Sequence, residues 1–265
     1  MKEKISITIE ENLLKEIDHV IDNIYIRNRS QAIEHFISKS LGEEKAAVIL
    51  AGGEESRILI GDEFMIGVDI HGKTLLEHTI KKLRESGFKN VFIIGRERVL
   101  TRAFEILRDG TSYGVKVSYV EEKASRGTAD TLKLMKGRIN TRFLVVYGDI
   151  FLANINLEKV WEAHLKEKPI ATLMLTTSPT PSEKGTVTME GTKVLQFIQK
   201  PKESDIYLVF SPVFAAEPEL LGYEGGSLEK DVFPKLAERG LLRGYLSSEK
   251  EIHIHKLDDL KKIKN

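Results

Sequence analysis

The sequence contains no cysteine, which excludes disulfides, thiolate zinc sites and a cysteine nucleophile. It carries no net charge, because 40 basic side chains balance 40 acidic ones. The whole chain is therefore not a polycation, and nucleic-acid binding would need a local patch. No apolar run approaches the ~18 residues of a membrane span, and the N-terminus lacks the apolar stretch of a secretory signal. These absences predict a protein of the reducing cytoplasm with no membrane partner. The Cys-free, Lys/Glu/Ile-rich composition also points toward a thermophile. With 41% hydrophobic residues in 265, there is enough apolar surface for one large domain or two unequal ones.

Two segments follow different patterns. In the first, Ile5, Ile7 and Ile9 alternate with Lys4, Ser6 and Thr8, the period of a strand with one apolar face. Leu13, Leu14, Ile17, Val20, Ile21 and Ile24 then recur at helical spacing. Tyr25–Arg29 interrupts the pattern. Ser30 is expected to cap a second helix carrying Ala32, Ile33, Phe36, Ile37 and Leu41, with Gly42 as its stop. One strand and two helices bury too little surface alone, and a lone strand leaves its backbone groups unpaired. Both problems vanish if two copies pair their strands, so residues 1–43 are expected to form an obligate homodimer.

From Ala46 the order becomes strand, helix, strand, helix. Strands are expected at Ala46–Ala51, Val91–Gly95, Val115–Val120 and Phe143–Tyr147. Helices are expected at Thr74–Ser86, Glu97–Arg108 and Thr128–Met135. Such alternation implies an α/β fold, a doubly wound, mostly parallel, Rossmann-like sheet with helices on both faces. After Ile170 come four strands (171–176, 186–189, 194–199 and 207–214) and two helices (228–238 and 257–263). Residues 46–265 are assigned to this second domain. The joint Glu43–Lys45 is short, which predicts close neighbours with little independent swing.

The first segment resembles the ribbon-helix-helix DNA-binding family, in Lys4–Ile9 and in the turn Asn28-Arg29-Ser30-Gln31-Ala32-Ile33. The resemblance implies an intertwined dimer whose ribbon enters a DNA major groove. Lys4, Ser6 and Thr8 would then read bases, while Arg29 and Ser30 clamp a phosphate. The alternative is a dimerisation unit alone. Residues 1–42 hold six Lys and Arg against seven Asp and Glu, so the module is not basic.

The second segment resembles the sugar-1-phosphate nucleotidylyltransferases. The resemblance rests on Leu50-Ala51-Gly52-Gly53, Arg57, Gly127-Thr128-Ala129, Gly148-Asp149, Gln199-Lys200-Pro201 and the tail Leu228–Leu236. It implies a nucleotide or sugar-phosphate ligand bound at Gly52, Gly53, Glu122, Gly127 and Thr128. It also implies Mg²⁺ held by Asp149, with Arg57, Asp149 and Lys200 as the catalytic set of an active enzyme. Several family features are changed. The glycine expected two residues after Gly53 is Glu55, beside Glu54. Two carboxylates against a triphosphate repel by several kcal/mol in a dry site, an order-of-magnitude figure. Ile58–Ile70 holds no Lys or Arg, and Phe64-Met65 stands where a phosphate-binding lysine is expected. Glu251-Ile252-His253 replaces a Trp-x-Asp motif, and Glu122 replaces a base-contacting glutamine.

Other candidates carry less. His253 and His255 share one face of a strand-like stretch, but the neighbouring sequence names no third ligand, which favours an exposed polar face. Ser56 and Ser125 have no His and Asp arranged for nucleophilic work. Trp161 sits at core spacing with Leu157 and Val160. The sequence thus predicts a dimeric, DNA-binding transcriptional regulator whose large domain holds a nucleotide, sugar phosphate or nucleotide sugar without efficient turnover. The alternative is an active, Mg²⁺-dependent sugar-1-phosphate nucleotidylyltransferase that uses its first segment as a dimer clip.

Overall fold

Ala46–Leu50 (β1) is five consecutive apolar residues, and all five are buried. A strand buried on both faces has no reason to alternate, and this one lies inside a parallel sheet. It pairs in parallel with Asn90–Gly95 (β2) on one side and Phe143–Tyr147 (β4) on the other. Lys116–Glu121 (β3) pairs in parallel with β2. The computed structural model describes residues 5–22, 26–40, 45–54, 58–124, 126–152 and 154–263, with only the backbone considered for 38–40. Two compact units divide the chain, Met1–Glu44 and Lys45–Asn265.

The sheet of the larger unit continues through Ala171–Thr177 (β5), Gly185–Glu190 (β6), Lys193–Gln199 (β7), Leu208–Ala216 (β8) and Leu242–Leu246 (β9). Its order is β5-β9-β7-β6-β8-β4-β1-β2-β3, with a further β5–β8 pairing. The parallel half matches the sequence reading; the other half corrects it, because β4–β8, β5–β8 and β6–β7 are antiparallel. The reason is local. Only Gly191 and Thr192 separate β6 from β7, and two residues can join antiparallel neighbours but cannot make a crossover. Gly191 takes φ 58°, the left-handed conformation such a turn needs.

Alternate residues of β1 feed two cores. Val48 and Leu50 join Phe143, Val145, Phe210, Phe214 and Phe233 on one face. Ala47 and Ile49 join Leu76, Ile80, Phe88 and Trp161 on the other. Trp161 meets Phe88 edge-on at 5.3 Å, the packing role its spacing implied. The helix Leu75–Glu85 starts where predicted, because Thr74 and Glu77 form a reciprocal capping box. Sequence reading assigned neither the helix Leu157–Glu167 nor β9.

The smaller unit departs from its expected form. Helices Glu11–His19 and Arg29–Ser40 are present. Residues 5–10 carry no strand ladder, since a ribbon requires a second strand. Lys4 and Ile24 lie outside the described residues. Ser30 is not the cap: Asn28 is, its Oδ1 accepting from the Gln31 amide at 3.0 Å. Arg29 is committed inside the unit, its Nε and Nη2 each donating to the Asp18 carboxylate at 2.7 Å. Ser6 and Thr8 belong to the ladder-free segment; Ser6 is exposed and Thr8 also solvent-facing. The expected ribbon and phosphate clamp are therefore not assembled in the single chain. Among the described residues no helix is long and apolar enough to cross a membrane.

Candidate active site

In open α/β sheets ligands bind beyond the carboxyl ends of the strands, where the strand order reverses. Here that place is the end of β1 and β4. A cavity of about 230 Å³ opens there, lined by Gly52, Gly53, Gly127, Thr128, Tyr147 and Asp149 and also by Phe64 and Met65. Among its described lining residues there is no Lys or Arg. Phe64 and Met65, the pair expected where the family has a lysine, do line this cavity. Arg57, with Glu55 and Ser56, lies outside the described residues.

Glu122 is buried at 2% exposure, yet it is not part of that wall. Its Oε2 accepts from the Gly53 amide at 3.0 Å, and its Oε1 accepts from the Thr131 hydroxyl. A Cβ on Gly52 would overlap this carboxylate. The glycine is thus required by a neighbouring acid. Glu122, which the resemblance assigns to the ligand, fixes the turn beside the cavity.

A second buried acid, Glu229, does the same for the helix that opens at Thr128. It accepts from Thr128 Oγ1 at 2.7 Å, from Ser227 Oγ at 2.8 Å, and from the Tyr147 hydroxyl. Burial, followed by the charge of Glu229, pushes the Tyr147 hydroxyl well above its ordinary range, so it stays a donor. Gly127 lies against the Gly226 carbonyl with φ 153°, a close approach that leaves no room for a Cβ.

A larger cavity of about 590 Å³ shares Tyr147, Asp149 and His255 with the first. The cations stand here: Lys184, Lys200 and Lys262 line it. Lys200 takes φ 48°, and its amide donates to the Lys184 carbonyl at 2.9 Å. Lys184 Nζ lies 3.2 Å from the buried Glu251. Glu251 also accepts from Ser211 Oγ at 2.6 Å and lies 3.0 Å from His253 Nε2. Burial raises the Glu251 carboxyl, but His253, Ser211 and Lys184 together outweigh it and hold it at about 2. Sequence reading selected Lys200 but passed over Lys184, Tyr147 and Glu229. Lys184 sits in a stretch with no motif of its own, while Tyr147 and Glu229 border or lie within recognised motifs but gain their roles from partners distant in sequence.

Asp149 stands at the shared wall, two residues after the end of β4. The short strands Ile150–Phe151 and Ile252–His253 pair antiparallel, and the Ile254 amide donates to the Asp149 carbonyl at 2.8 Å. That ladder brings both histidines to Asp149, and donor atoms of all three lie within 4.8 Å of one another. The third ligand missing from the local sequence is supplied from about a hundred residues away.

Glycine turns, a buried acid scaffold and two adjoining cavities at a sheet switch point define an α/β protein with a ligand-sized cleft where such sheets carry their sites. Residues 46–251 match the nucleotidyl transferase family, and the chain belongs to it. A protein of Sulfolobus acidocaldarius named "Putative mannose-1-phosphate guanyltransferase" is 29% identical over 199 residues, which is 72% of this chain and 54% of that one. A Methanococcus maripaludis protein named "Bifunctional protein GlmU" is 26% identical over 211 residues, 75% of this chain and 48% of that one. The chain thus spans about half the length of these curated relatives. A solved Bacillus anthracis structure, a "Putative Glucose-1-Phosphate Thymidylyltransferase" in complex with a sucrose, shares the fold. Its TM-score is 0.75 at 20% identity, covering 82% of this chain and 93% of that one. The family match does not extend over residues 1–45.

Proposed function

We propose that the larger unit is a working sugar-1-phosphate nucleotidylyltransferase. This reading replaces the expected ligand-holding regulator, because the family and its named relatives favour chemistry. A phosphate oxygen of the sugar 1-phosphate attacks the α-phosphorus of a nucleoside triphosphate. The bond to the β-phosphoryl oxygen breaks and pyrophosphate leaves. Such a reaction needs positioning and charge neutralisation more than covalent chemistry. The observation that carries the reading is the pair of cavities meeting at Asp149. The nucleotide is assigned to the cavity beside Gly52 and Gly53, whose turn Glu122 fixes. The sugar phosphate is assigned to the larger one, whose wall carries Lys200. Mannose 1-phosphate with GTP is the first pair to try, since relatives carry that name.

Chromatographic detection of a nucleotide sugar after incubation with both substrates tests this directly. Lys200→Ala should raise KM for the sugar phosphate at least tenfold while changing KM for the triphosphate little. An equal change in both would reject the assignment of the two cavities.

For the smaller unit we infer a pairing role. Ile5 and Ile7 are 71% and 51% exposed, and Leu13 is 57% exposed. Alternating apolar residues left in water are stabilised by a second copy. DNA readout by Lys4, Ser6 and Thr8 is the further step, and retention of an upstream DNA fragment over random DNA is its test.

A further inference from the structure

We propose that Asp149, His253 and His255 form a binding site for a late first-row transition ion, such as Zn²⁺ or Co²⁺, in preference to the Mg²⁺ that the family implies. Magnesium favours an all-oxygen shell and near-octahedral geometry. Two of these three donors are imidazoles, which suit Zn²⁺, Co²⁺ and Ni²⁺. The residues present therefore do not fit the expected ion, and they fit another.

Four observations converge. The three donor atoms already lie within 4.8 Å of one another. Closing to roughly 3.4 Å would place them about one zinc–nitrogen bond length from a common centre. The Asp149 Oδ1 atom is buried and has no hydrogen-bond partner among the described residues, and Oδ2 lies 3.8 Å from His255 Nδ1. An unpaired buried carboxylate oxygen is costly unless something fills its coordination.

The two imidazole rings stack at 5.5 Å with only 26° between their planes. They are held there by backbone, through the His253–Ile150 ladder and the Ile254–Asp149 hydrogen bond. Finally, Glu251 lies 3.0 Å from His253 Nε2 and is itself fixed by Ser211 and Lys184. A buried carboxylate on one nitrogen of a ligating histidine sets its tautomer and orientation. Asp149 and His255 line both cavities, and His253 lines the larger one. An ion there retains free positions for phosphate oxygens, as a catalytic rather than structural site does.

The test uses the full chain, untagged and stripped with chelator, with no substrate added. Its outcome is therefore independent of whether the nucleotidyl transfer proposed above occurs. Co²⁺ is titrated while visible absorption is recorded, and Zn²⁺ and Mg²⁺ are added as competitors. One equivalent of Co²⁺ should bind and give visible bands of a low-coordinate site. Zn²⁺ should displace it, while millimolar Mg²⁺ should not. His255→Ala, at an exposed position, should weaken Co²⁺ at least tenfold with no change in the thermal melt of the metal-free protein. His71→Ala, at an exposed histidine outside the three-donor set, should leave binding unchanged. Displacement of Co²⁺ by Mg²⁺ at comparable concentration would overturn the proposal. So would equal Co²⁺ affinity in His255→Ala and the unaltered chain.

Discussion

The amide of Gly53 donates to the carboxylate of Glu122 at 3.0 Å, across 69 residues of sequence. Glu122 leaves β3, Gly53 follows β1, and the bond ties together the turns leaving these two parallel strands. Replacing Glu122 with Ala would remove the acceptor of the Gly53 amide and one acceptor of the Thr131 hydroxyl, which also reaches the Gly127 carbonyl at 3.2 Å. The cost should be about 1–3 kcal/mol, read from a denaturant melt. Gly52→Ala should cost a similar amount by overpacking against the acid, and should also abolish stabilisation by nucleotide in a thermal-shift assay. Glu122→Ala combined with Gly52→Ala should cost less than the sum, because removing the acid opens space for the methyl group.

Glu229 gathers three hydroxyls, those of Thr128, Ser227 and Tyr147. Glu229→Ala leaves all three without this acceptor and should destabilise the chain by roughly 2–4 kcal/mol. Tyr147→Phe removes one donor and should cost about 1 kcal/mol. Comparing the two melts separates the carboxylate's scaffolding from the loss of a single bond.

His164 predicts the acid limb of stability. It is fully buried, and its Nδ1 lies 3.0 Å from Thr172 Oγ1. Burial first, and then the charge of Arg142, press its imidazole down from 6.5 to about 4. The Glu217 carboxylate 3.5 Å from Nε2 would act in the opposite sense, but burial pushes its own carboxyl up and weakens that counter-charge. The unfolded chain therefore binds the proton first. Stability is intact above about 6.5 and falls as pH drops from there toward 4, by on the order of 3 kcal/mol if this histidine alone is counted. Urea midpoints between pH 7 and 4.5 read the slope. His164→Gln should flatten it.

The smaller unit gives a concentration-dependent expectation. Sedimentation of the full chain should show a dimer, and Ile5→Lys with Ile7→Lys should shift it to monomer. The folded signal of the larger unit should persist in that variant. A monomer from the unaltered chain at tens of micromolar would remove the pairing role.

The parallel half of the fold was legible because its signal is local. Ala46–Leu50 and Phe143–Tyr147 are short apolar runs, and Thr74 with Glu77 marks a helix start within four residues. The antiparallel half was not, because the pairing of β5 with both β8 and β9 depends on a sheet already built. The site divides in the same way. Gly52, Gly53, Gly127 and Asp149 were singled out through short local motifs that resemble the sugar-1-phosphate nucleotidylyltransferases. Glu229 and Lys184 were missed, since their meaning lies in partners far along the chain. The histidine pair shows the limit most clearly: His253 and His255 are neighbours in sequence, but the acid that gives them a purpose is Asp149, reached only through a two-residue ladder.

In the function proposed above, the paired cavities join a nucleotide to a sugar phosphate. The most direct measurement is continuous pyrophosphate release by the full chain, supplied with a divalent ion, GTP and mannose 1-phosphate, then with other triphosphates and hexose 1-phosphates. The account predicts release that requires both substrates, saturates in each and is lost in Asp149→Asn. No release from any pair, in a protein whose melting temperature is nevertheless raised by nucleotide, would show a pocket that holds its ligand without converting it.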